Sequence, residues 1–195
     1  VYETLQVMNT LQPGLCVLGT RLPGCFNVFE MSVRAVLGQQ ITVKAASTLA
    51  ARLVAVYGTQ VQTGIEGLTH SFPAPAAILA LGENISEHLG KLGIISARAN
   101  TIYQLARVLA DEKNDFGFCG NPEEEMQKLQ AIRGIGSWTA QYIAMRAMGW
   151  PDAFLPTDAG IKKALPDHTP KELQVLSEAW RPWRSYATVN LWNTL

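Results

Sequence analysis

Two neighbouring features in the last third of the 195-residue chain combine residue types that can bind or transform a ligand. In the first, Gly134 and Gly136 flank Ile135 directly before a predicted helix, with Ser137 as its expected cap. Glycine permits a close backbone approach, and the first N–H groups of a helix carry partial positive charge without an intrahelical partner. The turn therefore suits a phosphate oxygen, with Ile135 packed inward, although the same pattern is typical of a plain structural turn.

The second feature is the helix that follows, predicted from residue 137 to 149, and the segment behind it. At about 100° per residue, Trp138, Tyr142 and Met145 share one face, opposite a face of small and aliphatic residues. A helix that is apolar on two sides is either fully buried or lines a cavity with one side. Behind it, Leu-Pro-Thr-Asp ends on Asp158, directly before a short predicted helix. Asp158 is a candidate N-cap, the commoner role of an Asp at such a position.

Helical periodicity dominates the elements that must position these residues. Asn27 is expected to cap the first of them, and Thr169 opens a capping box with Glu172. Strand patterns are weak and occur only at residues 14–18 and 60–63, so we predict an all-α fold. The predicted helices cover residues 28–38, 43–57, 85–91, 96–111, 122–132, 137–149, 159–165, a segment from 170 and a last helix from 182, and residues 59–77 form a loop.

Composition excludes several classes of protein. Hydrophobic residues make up 48% of the chain and charged residues 16%, so the chain can bury a core and is not intrinsically disordered. Because no apolar run approaches the roughly 18 residues that cross a bilayer, and no signal peptide is recognisable, we expect a cytoplasmic protein. The scattered positions of Cys16, Cys25 and Cys119 argue against a disulfide scaffold, a zinc module and a four-cysteine iron–sulfur cluster.

Charge is unevenly distributed although the formal net charge is zero. Residues 1–125 hold 8 Lys or Arg against 11 Asp or Glu, net −3, whereas residues 126–195 hold 8 against 5, net +3. A polyanion should therefore meet the last third of the chain, which also contains the twin-glycine turn. The chain starts at Val1 rather than Met, so we expect it to be a fragment or a processed chain.

The run LQAIRGIGSWTAQYIAMRAMGWPDAFLPTDAGIKKAL, residues 129–165, resembles the helix–hairpin–helix DNA glycosylase superfamily. RLPGCFNVFEMSVRAVLGQQ, GIGSWTAQY, FLPTD and WRPWRSYATVNLW are similar to blocks of the AlkA-type 3-methyladenine DNA glycosylase II family, so the resemblance extends from Arg21 to the end. It implies two helical lobes with a cleft between them, without the N-terminal sheet domain that such enzymes usually carry. We assign residues 1–120 to a first helical region and residues 121–195 to the region of the hairpin and the Asp.

The resemblance assigns the catalytic carboxylate to Asp158 and the lining of the base pocket to Trp138, Tyr142 and Trp192. Cleavage of an N-glycosidic bond develops positive charge on the deoxyribose, which a carboxylate stabilises. An alkylated purine is cationic and gains roughly 0.5–2 kcal/mol over an aromatic ring. Trp138 stands where bifunctional relatives have a nucleophilic lysine, so the resemblance implies a monofunctional glycosylase without lyase activity.

The resemblance also assigns contacts to DNA and to a cation. The apolar wedge that fills the gap left by a flipped base falls on Gln40, where the family has leucine. Either Ile41 moves into the gap or Gln40 hydrogen-bonds the orphaned base. The hairpin residues expected to bind DNA phosphates are Gly134, Ile135, Gly136 and Ser137. Arg133 is added to them as a departure from the family, which usually has Pro there, because its guanidinium could reach a second phosphate. The backbone carbonyls that match those holding a Na⁺ or K⁺ ion belong to Gln130, Ile132 and Gly134, and no other cofactor is expected.

Together these observations lead us to expect an enzyme that excises alkylated purines of the 3-methyladenine and 7-methylguanine type from double-stranded DNA. It would flip the damaged base out of the duplex and hydrolyse the N-glycosidic bond with the help of Asp158, as a step of base excision repair. We expect a monomer in the bacterial cytoplasm, associated with the nucleoid and not with a membrane. The alternative is a non-catalytic helix–hairpin–helix module that only binds DNA and has no use for Asp158, and a third interpretation is an ordinary helical bundle without a nucleic-acid partner.

Overall fold

Helices account for almost all of the regular structure in the computed structural model, which describes residues 1–111 and 121–195. Two short strands, β1 (Thr59–Gln60) and β2 (His70–Ser71), pair antiparallel within the loop that follows α3. Within the described ranges the helices are α1 (Tyr2–Leu11), α2 (Val28–Leu37), α3 (Val43–Tyr57), α4 (Pro75–Leu79), α5 (Ile85–Gly90), α6 (Ser96–Leu109), α7 (Pro122–Ala131), α8 (Ser137–Arg146), α9 (Ala159–Ala164), α10 (Pro170–Ser177) and α11 (Arg184–Trp192).

Local capping rules set several helix starts where the sequence predicts them. The Asn27 side chain accepts a hydrogen bond from the Glu30 N–H at the start of α2. At α10, Thr169 and Glu172 form both halves of a capping box. These predictions are confirmed because a cap depends on residues three positions apart and not on the rest of the fold.

Other local predictions are wrong. Residues 14–18 form no strand, because the Asn9 side chain takes both the N–H and the carbonyl of Cys16, at 2.7 and 2.6 Å. The Asn190 side chain accepts the neighbouring N–H of Val17 at 2.8 Å, so these backbone groups are bound by side chains and not by a second strand. The last helix begins at Arg184 and not at Pro182, and α1 was not predicted at all.

Two large hydrophobic cores support the two lobes of this all-α fold, and a small third cluster of Met145, Ala153, Leu155 and Val189 joins α8 to α11. The first core contains buried residues between positions 29 and 148 and includes α7 and α8. The second core joins residues 5–16, including α1, to residues 154–191. The sequence-based division at residue 120 does not coincide with these cores, since α7 and α8 pack in the first and α1 packs in the second.

The segment that leads into α9 is anchored to α11 by a buried ion pair. Arg184 donates to both carboxylate oxygens of Asp152, at 2.8 and 2.9 Å, and both residues are almost fully buried. Ser185 accepts the N–H of Ala153 at 3.0 Å and donates to the carbonyl of Trp150 at 2.7 Å. Because the Arg184 guanidinium and the Asp152 carboxylate form two parallel hydrogen bonds, the ion pair fixes this segment. It therefore also fixes the position of the residues that follow.

Candidate active site

Asp158 caps α9 and is the centre of the site. Its Oδ1 accepts hydrogen bonds from the N–H groups of Gly160 at 2.8 Å and Ile161 at 3.1 Å, which confirms the predicted N-cap. The residue lies half-buried at the wall of a cleft between the two lobes. Because a cap engages mainly one carboxylate oxygen, the second oxygen is left for other partners.

Two tryptophan side chains donate to the same carboxylate from different helices. Trp192, at the end of α11, donates through Nε1 to Oδ1 at 2.8 Å. Trp138, in the first turn of α8, donates through Nε1 to Oδ2 at 3.1 Å. Every partner of this carboxylate among the described residues is a hydrogen-bond donor, so each contact uses a lone pair of one of its two oxygens. The sequence alone gives no signal for these contacts, since 20 and 34 residues separate the partners.

Aromatic rings form a cluster directly beside Asp158. The rings of Trp138 and Tyr142 stack with centroids 5.2 Å apart and planes at 7°. Tyr142 also meets Trp192, with centroids 6.2 Å apart and planes at 49°. The structure thus brings the three predicted pocket aromatics together with the carboxylate.

Arg146 supplies a positive charge at this cluster that the sequence analysis missed. Its guanidinium carbon lies 5.8 Å from the centre of the Tyr142 ring, and its Nη1 donates to the Tyr142 hydroxyl at 3.4 Å. A third contact, from Nε to the carbonyl of Pro23 at 2.8 Å, ties the side chain to the loop before α2. The i,i+4 spacing of Tyr142 and Arg146 on α8 is the sequence signal that could have found this pair.

The two faces of α8 differ in burial, as a helix lining a cavity requires. Ala140, Ile143 and Ala144 on the inner face are completely buried in the first core. On the opposite face Trp138 and Tyr142 are only half-buried, although Met145 beside them is buried. Of the two interpretations of this doubly apolar helix, the cavity-lining one therefore describes Trp138 and Tyr142.

The turn between α7 and α8 is held closely against α6. Gly134 has φ +95°, and a Cβ at this position would lie 2.0 Å from the Thr101 hydroxyl oxygen. Thr101 in turn donates to the carbonyl of Arg133 at 3.1 Å. Ile135 is 5% exposed and packs in the first core, so it holds the turn from inside as predicted.

Ser137 does not cap α8, which corrects the sequence prediction. The helix begins at Ser137 itself, with Gly136 at the N-cap position, and no side chain of the described residues caps it. A serine inside the first turn is one position too late to accept the N–H groups that a cap accepts. The first N–H groups of α8 are consequently left for solvent or an anion.

The loop between α2 and α3 is connected to the hairpin by Gln39, which the sequence analysis also missed. Gln39 donates through Nε2 to the Gly134 carbonyl at 3.0 Å and to the Thr139 hydroxyl at 2.9 Å. Its own carbonyl accepts a hydrogen bond from Arg98 on α6. The loop that carries the predicted wedge is therefore fixed relative to the hairpin.

The predicted wedge residues lie at the tip of this loop. Gln40 is exposed and has a left-handed φ of 55°, and Ile41 beside it is half-buried. Both residues line the cleft that also contains Asp158. The predicted site residues that line this cleft are Gln40, Ile41, Ile132, Arg133, Gly134, Gly136, Trp138, Tyr142, Asp158 and Trp192.

The hairpin carbonyls are neutral oxygens, the donor type that a monovalent cation takes. The Gly134 carbonyl accepts one hydrogen bond, from Gln39, and the Ile132 carbonyl accepts one from the Ile135 N–H at 3.0 Å. A carbonyl oxygen has two lone pairs, so each retains acceptor capacity. Gln130 lies in the last turn of α7, where carbonyls lack intrahelical partners.

The described cysteines offer no reactive thiolate. Cys16 and Cys25 are free thiols, and burial raises the pKa of Cys16 to about 11. Burial also raises the pKa of Cys25, although the nearby Arg146 lowers it. Since the thiolate is the nucleophile and metal ligand, neither thiol is suited to chemistry at neutral pH. Cys119 lies outside the described residues.

Sequence comparisons connect the chain to DNA repair proteins. The profile of the HhH-GPD superfamily of base excision DNA repair proteins matches residues 33–184. DNA-3-methyladenine glycosylase 2 of Escherichia coli is 38% identical over 176 residues, which cover 90% of this chain and 61% of that protein. A probable bifunctional transcriptional activator/DNA repair enzyme AlkA of Mycobacterium tuberculosis is 42% identical over 182 residues, covering 91% of this chain and 35% of that protein. The chain thus spans less than two thirds of either relative.

Solved structures share the fold. A 3-methyladenine DNA glycosylase from Archaeoglobus fulgidus superposes with a TM-score of 0.76 at 24% identity, over 97% of this chain and 64% of that one. The Schizosaccharomyces pombe 3-methyladenine DNA glycosylase Mag1, in complex with abasic DNA, gives 0.72 at 20% identity, over 98% and 89% of the two chains. The arrangement of helices around the cleft is therefore that of known glycosylase structures. Within the described ranges, every helix falls short of the length and apolarity that crossing a membrane takes.

Proposed function

The chain belongs to the HhH-GPD superfamily of base excision DNA repair proteins, and from this premise we propose that it is a monofunctional DNA glycosylase that excises alkylated purines. One observation carries the proposal: the Asp158 carboxylate lies in the cleft and accepts hydrogen bonds from two of the aromatic side chains, Trp138 and Trp192. The carboxylate can stabilise a sugar cation, and the aromatic rings beside it can bind a cationic base. The site therefore holds both groups that the proposed reaction needs.

Duplex DNA is held through its phosphates. The open first turn of α8 presents N–H groups and the positive end of a helix dipole, and Arg133 beside it is exposed. Such contacts position a duplex without reading its sequence. The +3 net charge of residues 126–195 adds a general attraction for the polyanion.

The damaged nucleotide leaves the stack and enters the cleft. Extrusion of a base costs a few kcal/mol, and least for a damaged base. Either Gln40 or Ile41, at the tip of the loop that Gln39 fixes to the hairpin, enters the gap in the duplex. Gln40 can pair with the orphaned base through its amide, whereas Ile41 can fill the stack with apolar atoms.

The pocket selects its ligand by charge. Alkylation of a ring nitrogen makes a purine cationic, and aromatic faces attract a cation by roughly 0.5–2 kcal/mol. Trp138 and Trp192 provide those faces, whereas Tyr142 supports them by stacking on Trp138 and has the Arg146 guanidinium over its own ring. Because charge and not shape is recognised, 3-methyladenine and 7-methylguanine are both substrates.

Hydrolysis needs one carboxylate and one water. The bond between C1′ and the purine nitrogen breaks, its electron pair leaves with the base, and the base becomes neutral. Asp158 stabilises the positive charge on the sugar and accepts the proton of the water whose oxygen bonds to C1′. The indole of Trp138 contains no amine that could form a Schiff base, so the strand stays intact at the abasic site.

A monovalent cation, Na⁺ or K⁺, would be held by the carbonyls of Gln130, Ile132 and Gly134. When bound, the ion supplies positive charge at the phosphate-binding turn. The protein acts as a monomer on double-stranded DNA, since each lobe supplies part of the cleft within one chain. Its place of action is the bacterial cytoplasm, at the nucleoid. No further cofactor takes part.

The test is release of free base from methylated DNA. Duplex DNA treated with a methylating agent is incubated with the protein, and the released bases are separated by chromatography. We expect 3-methyladenine and 7-methylguanine in the soluble fraction, and strand breaks only after the abasic sites are treated with alkali. Binding of the duplex without release of any base would instead support the non-catalytic DNA-binding module.

A further inference from the structure

Gly160 lies beneath the Trp192 indole, in the first turn of α9. A Cβ at this position would lie 2.6 Å from Trp192 Cδ1 and 2.8 Å from Trp192 Nε1. It would also lie 3.0 Å from Asp158 Oδ1. Distances below 3.0 Å are shorter than non-bonded carbon contacts allow, so the indole keeps its place only because residue 160 has no side chain.

We propose that Gly160 is a positioning residue: it leaves the space in which the Trp192 indole lies against Asp158. It thereby determines which carboxylate oxygen faces the sugar. The proposal rests on the proposed glycosylase function. No substrate contact is assigned to Gly160, because it acts through the tryptophan and the aspartate.

The backbone conformation does not explain a glycine here. Gly160 lies within α9 and its φ is outside the left-handed range, so the backbone itself accepts any residue. In a helix, alanine is favoured over glycine by about 1 kcal/mol. Helix propensity therefore favours alanine at position 160, whereas the contact with Trp192 requires glycine.

The hydrogen bonds of the Asp158 carboxylate show what the position of Trp192 accomplishes. Among the residues that the structure describes, Oδ1 accepts three donors, from Gly160, Ile161 and Trp192, whereas Oδ2 accepts one, from Trp138. A carboxylate oxygen has about two lone-pair sites, so Oδ1 is fully used and Oδ2 retains capacity. Oδ2 is consequently the oxygen that faces the sugar cation and takes the proton of water.

Trp192 has little room to move away from an added methyl group. Its ring is half-buried, packs against the second core and meets Tyr142 at 6.2 Å. Residues 184–191, the part of α11 before it, are buried. A side chain at position 160 therefore displaces the indole from Oδ1 or shifts the Asp158 carboxylate.

The variant Gly160→Ala tests the proposal, with Gly90→Ala as the matched control. Gly90 also lies in a helix outside the left-handed range, and a Cβ there meets no described atom within 4 Å. We expect Gly160→Ala to slow single-turnover release of 7-methylguanine at least tenfold while the Kd for undamaged duplex changes less than twofold. Gly90→Ala should change neither quantity. An unchanged release rate in Gly160→Ala would overturn the proposal.

A second pair of variants separates positioning from misfolding. In a Trp192→Leu background the two contacts below 3.0 Å are gone and only the 3.0 Å approach to Asp158 Oδ1 remains, so adding Gly160→Ala should cause less than a twofold further loss of release and should raise the Tm through helix propensity. A further tenfold loss in that background would mean that Gly160 acts by another route and would overturn the proposal. This comparison holds even when Gly160→Ala alone folds poorly.

The indole N–H resonance of Trp192 gives a readout that needs no activity. In the wild-type protein it is assigned by its disappearance in Trp192→Leu, and we expect it to move in Gly160→Ala and to stay in Gly90→Ala. When the wild-type protein releases no methylated purine, the proposed function fails while this resonance still decides the positioning role. A resonance that does not move in Gly160→Ala contradicts that role.

Discussion

Asp158 is the N-cap of α9, and this role is compatible with the catalytic role that we propose for it. Oδ1 completes the start of α9, and Oδ2 keeps capacity on the side where Trp138 donates. Capping fixes the carboxylate rigidly at the positive end of a helix, where a negative charge is favoured. A group that must meet a developing cation gains from being held in one orientation, so capping supports the proposed catalysis.

At the scale of the residue, two substitutions of Trp138 separate its aromatic stacking from its hydrogen bond to Asp158. Trp138→Ala removes the aromatic face and the donor to Asp158, whereas Trp138→Phe keeps an aromatic ring beside Tyr142 and removes only the donor. We expect Trp138→Phe to slow release of cationic 7-methylguanine and neutral hypoxanthine by the same factor. Trp138→Ala should slow 7-methylguanine release by a further factor of roughly 2 to 30, the equivalent of 0.5–2 kcal/mol of cation–aromatic attraction.

Rates of base release from the two substrates, measured under single-turnover conditions, decide between charge and shape. Equal losses for both bases in Trp138→Ala would contradict selection by charge. The stacked geometry of Trp138 and Tyr142 would then act only to shape the pocket.

At the scale of the element, the two glycines of the hairpin differ in what a side chain at each position would disturb. Gly134→Ala meets Thr101 and adopts a left-handed φ, so we expect it to lower the free energy of unfolding by about 1–3 kcal/mol. At Gly136 an added Cβ meets no described atom within 4 Å and the backbone is extended, so the cost is only that of a poorer N-cap, and we expect a slightly lowered Tm. The methyl group of Gly136→Ala projects beside the open first turn of α8, and all duplexes should bind more weakly to the same extent.

Thermal unfolding and Kd values for damaged and undamaged duplexes check both variants. A loss of affinity confined to one lesion in Gly136→Ala would argue that the turn reads the base and does not hold phosphate. An unchanged free energy of unfolding in Gly134→Ala would contradict the close approach of α6 to the turn.

The elements also show which features a sequence can predict. The caps at Asn27, Thr169 and Asp158 follow from local rules and are confirmed. The strand predicted at residues 14–18 does not form, because the Asn9 side chain binds the N–H and the carbonyl of Cys16. Hydrophobic periodicity gives no signal for such a contact. Local rules also misplace Ser137, since the α8 helix begins one residue earlier than a cap at Ser137 needs.

Residues that act by tertiary approach could not be predicted in this way. Gln39 binds a carbonyl 95 positions away, and Gly160 matters because a ring from α11 lies on it. Neither contact leaves a periodic or capping signal in the sequence. The roles of Trp192, Gln40 and Ile41 came from the family resemblance, and the structure adds their common cleft.

At the scale of the whole molecule, the uneven charge predicts how binding responds to salt. Two of the basic residues of the last third, Arg181 and Arg184, pair with Asp152 and Glu178 and contribute little to a polyanion site. Arg133 is exposed beside the turn before α8, which we propose to bind phosphate. We expect Arg133→Ala to weaken duplex binding uniformly and to reduce the slope of log K against log salt by about 1.

Lys91→Ala is the control, since Lys91 pairs with Glu87 and lies outside the residues lining the cleft. Its slope should equal that of the wild-type protein in binding titrations across salt concentrations. An Arg133→Ala slope equal to that of the wild-type protein would remove Arg133 from the phosphate contacts.

The central claim, that Asp158 acts on the sugar of a flipped nucleotide, is tested most directly by Asp158→Asn. Asn is as good an N-cap as Asp, so α9 and the cleft should stay formed. We expect duplex binding within about twofold of the wild-type protein, while loss of the charge slows release of 7-methylguanine by about 10²–10⁴-fold. Release at the wild-type rate, measured by chromatography of free bases, would contradict the account.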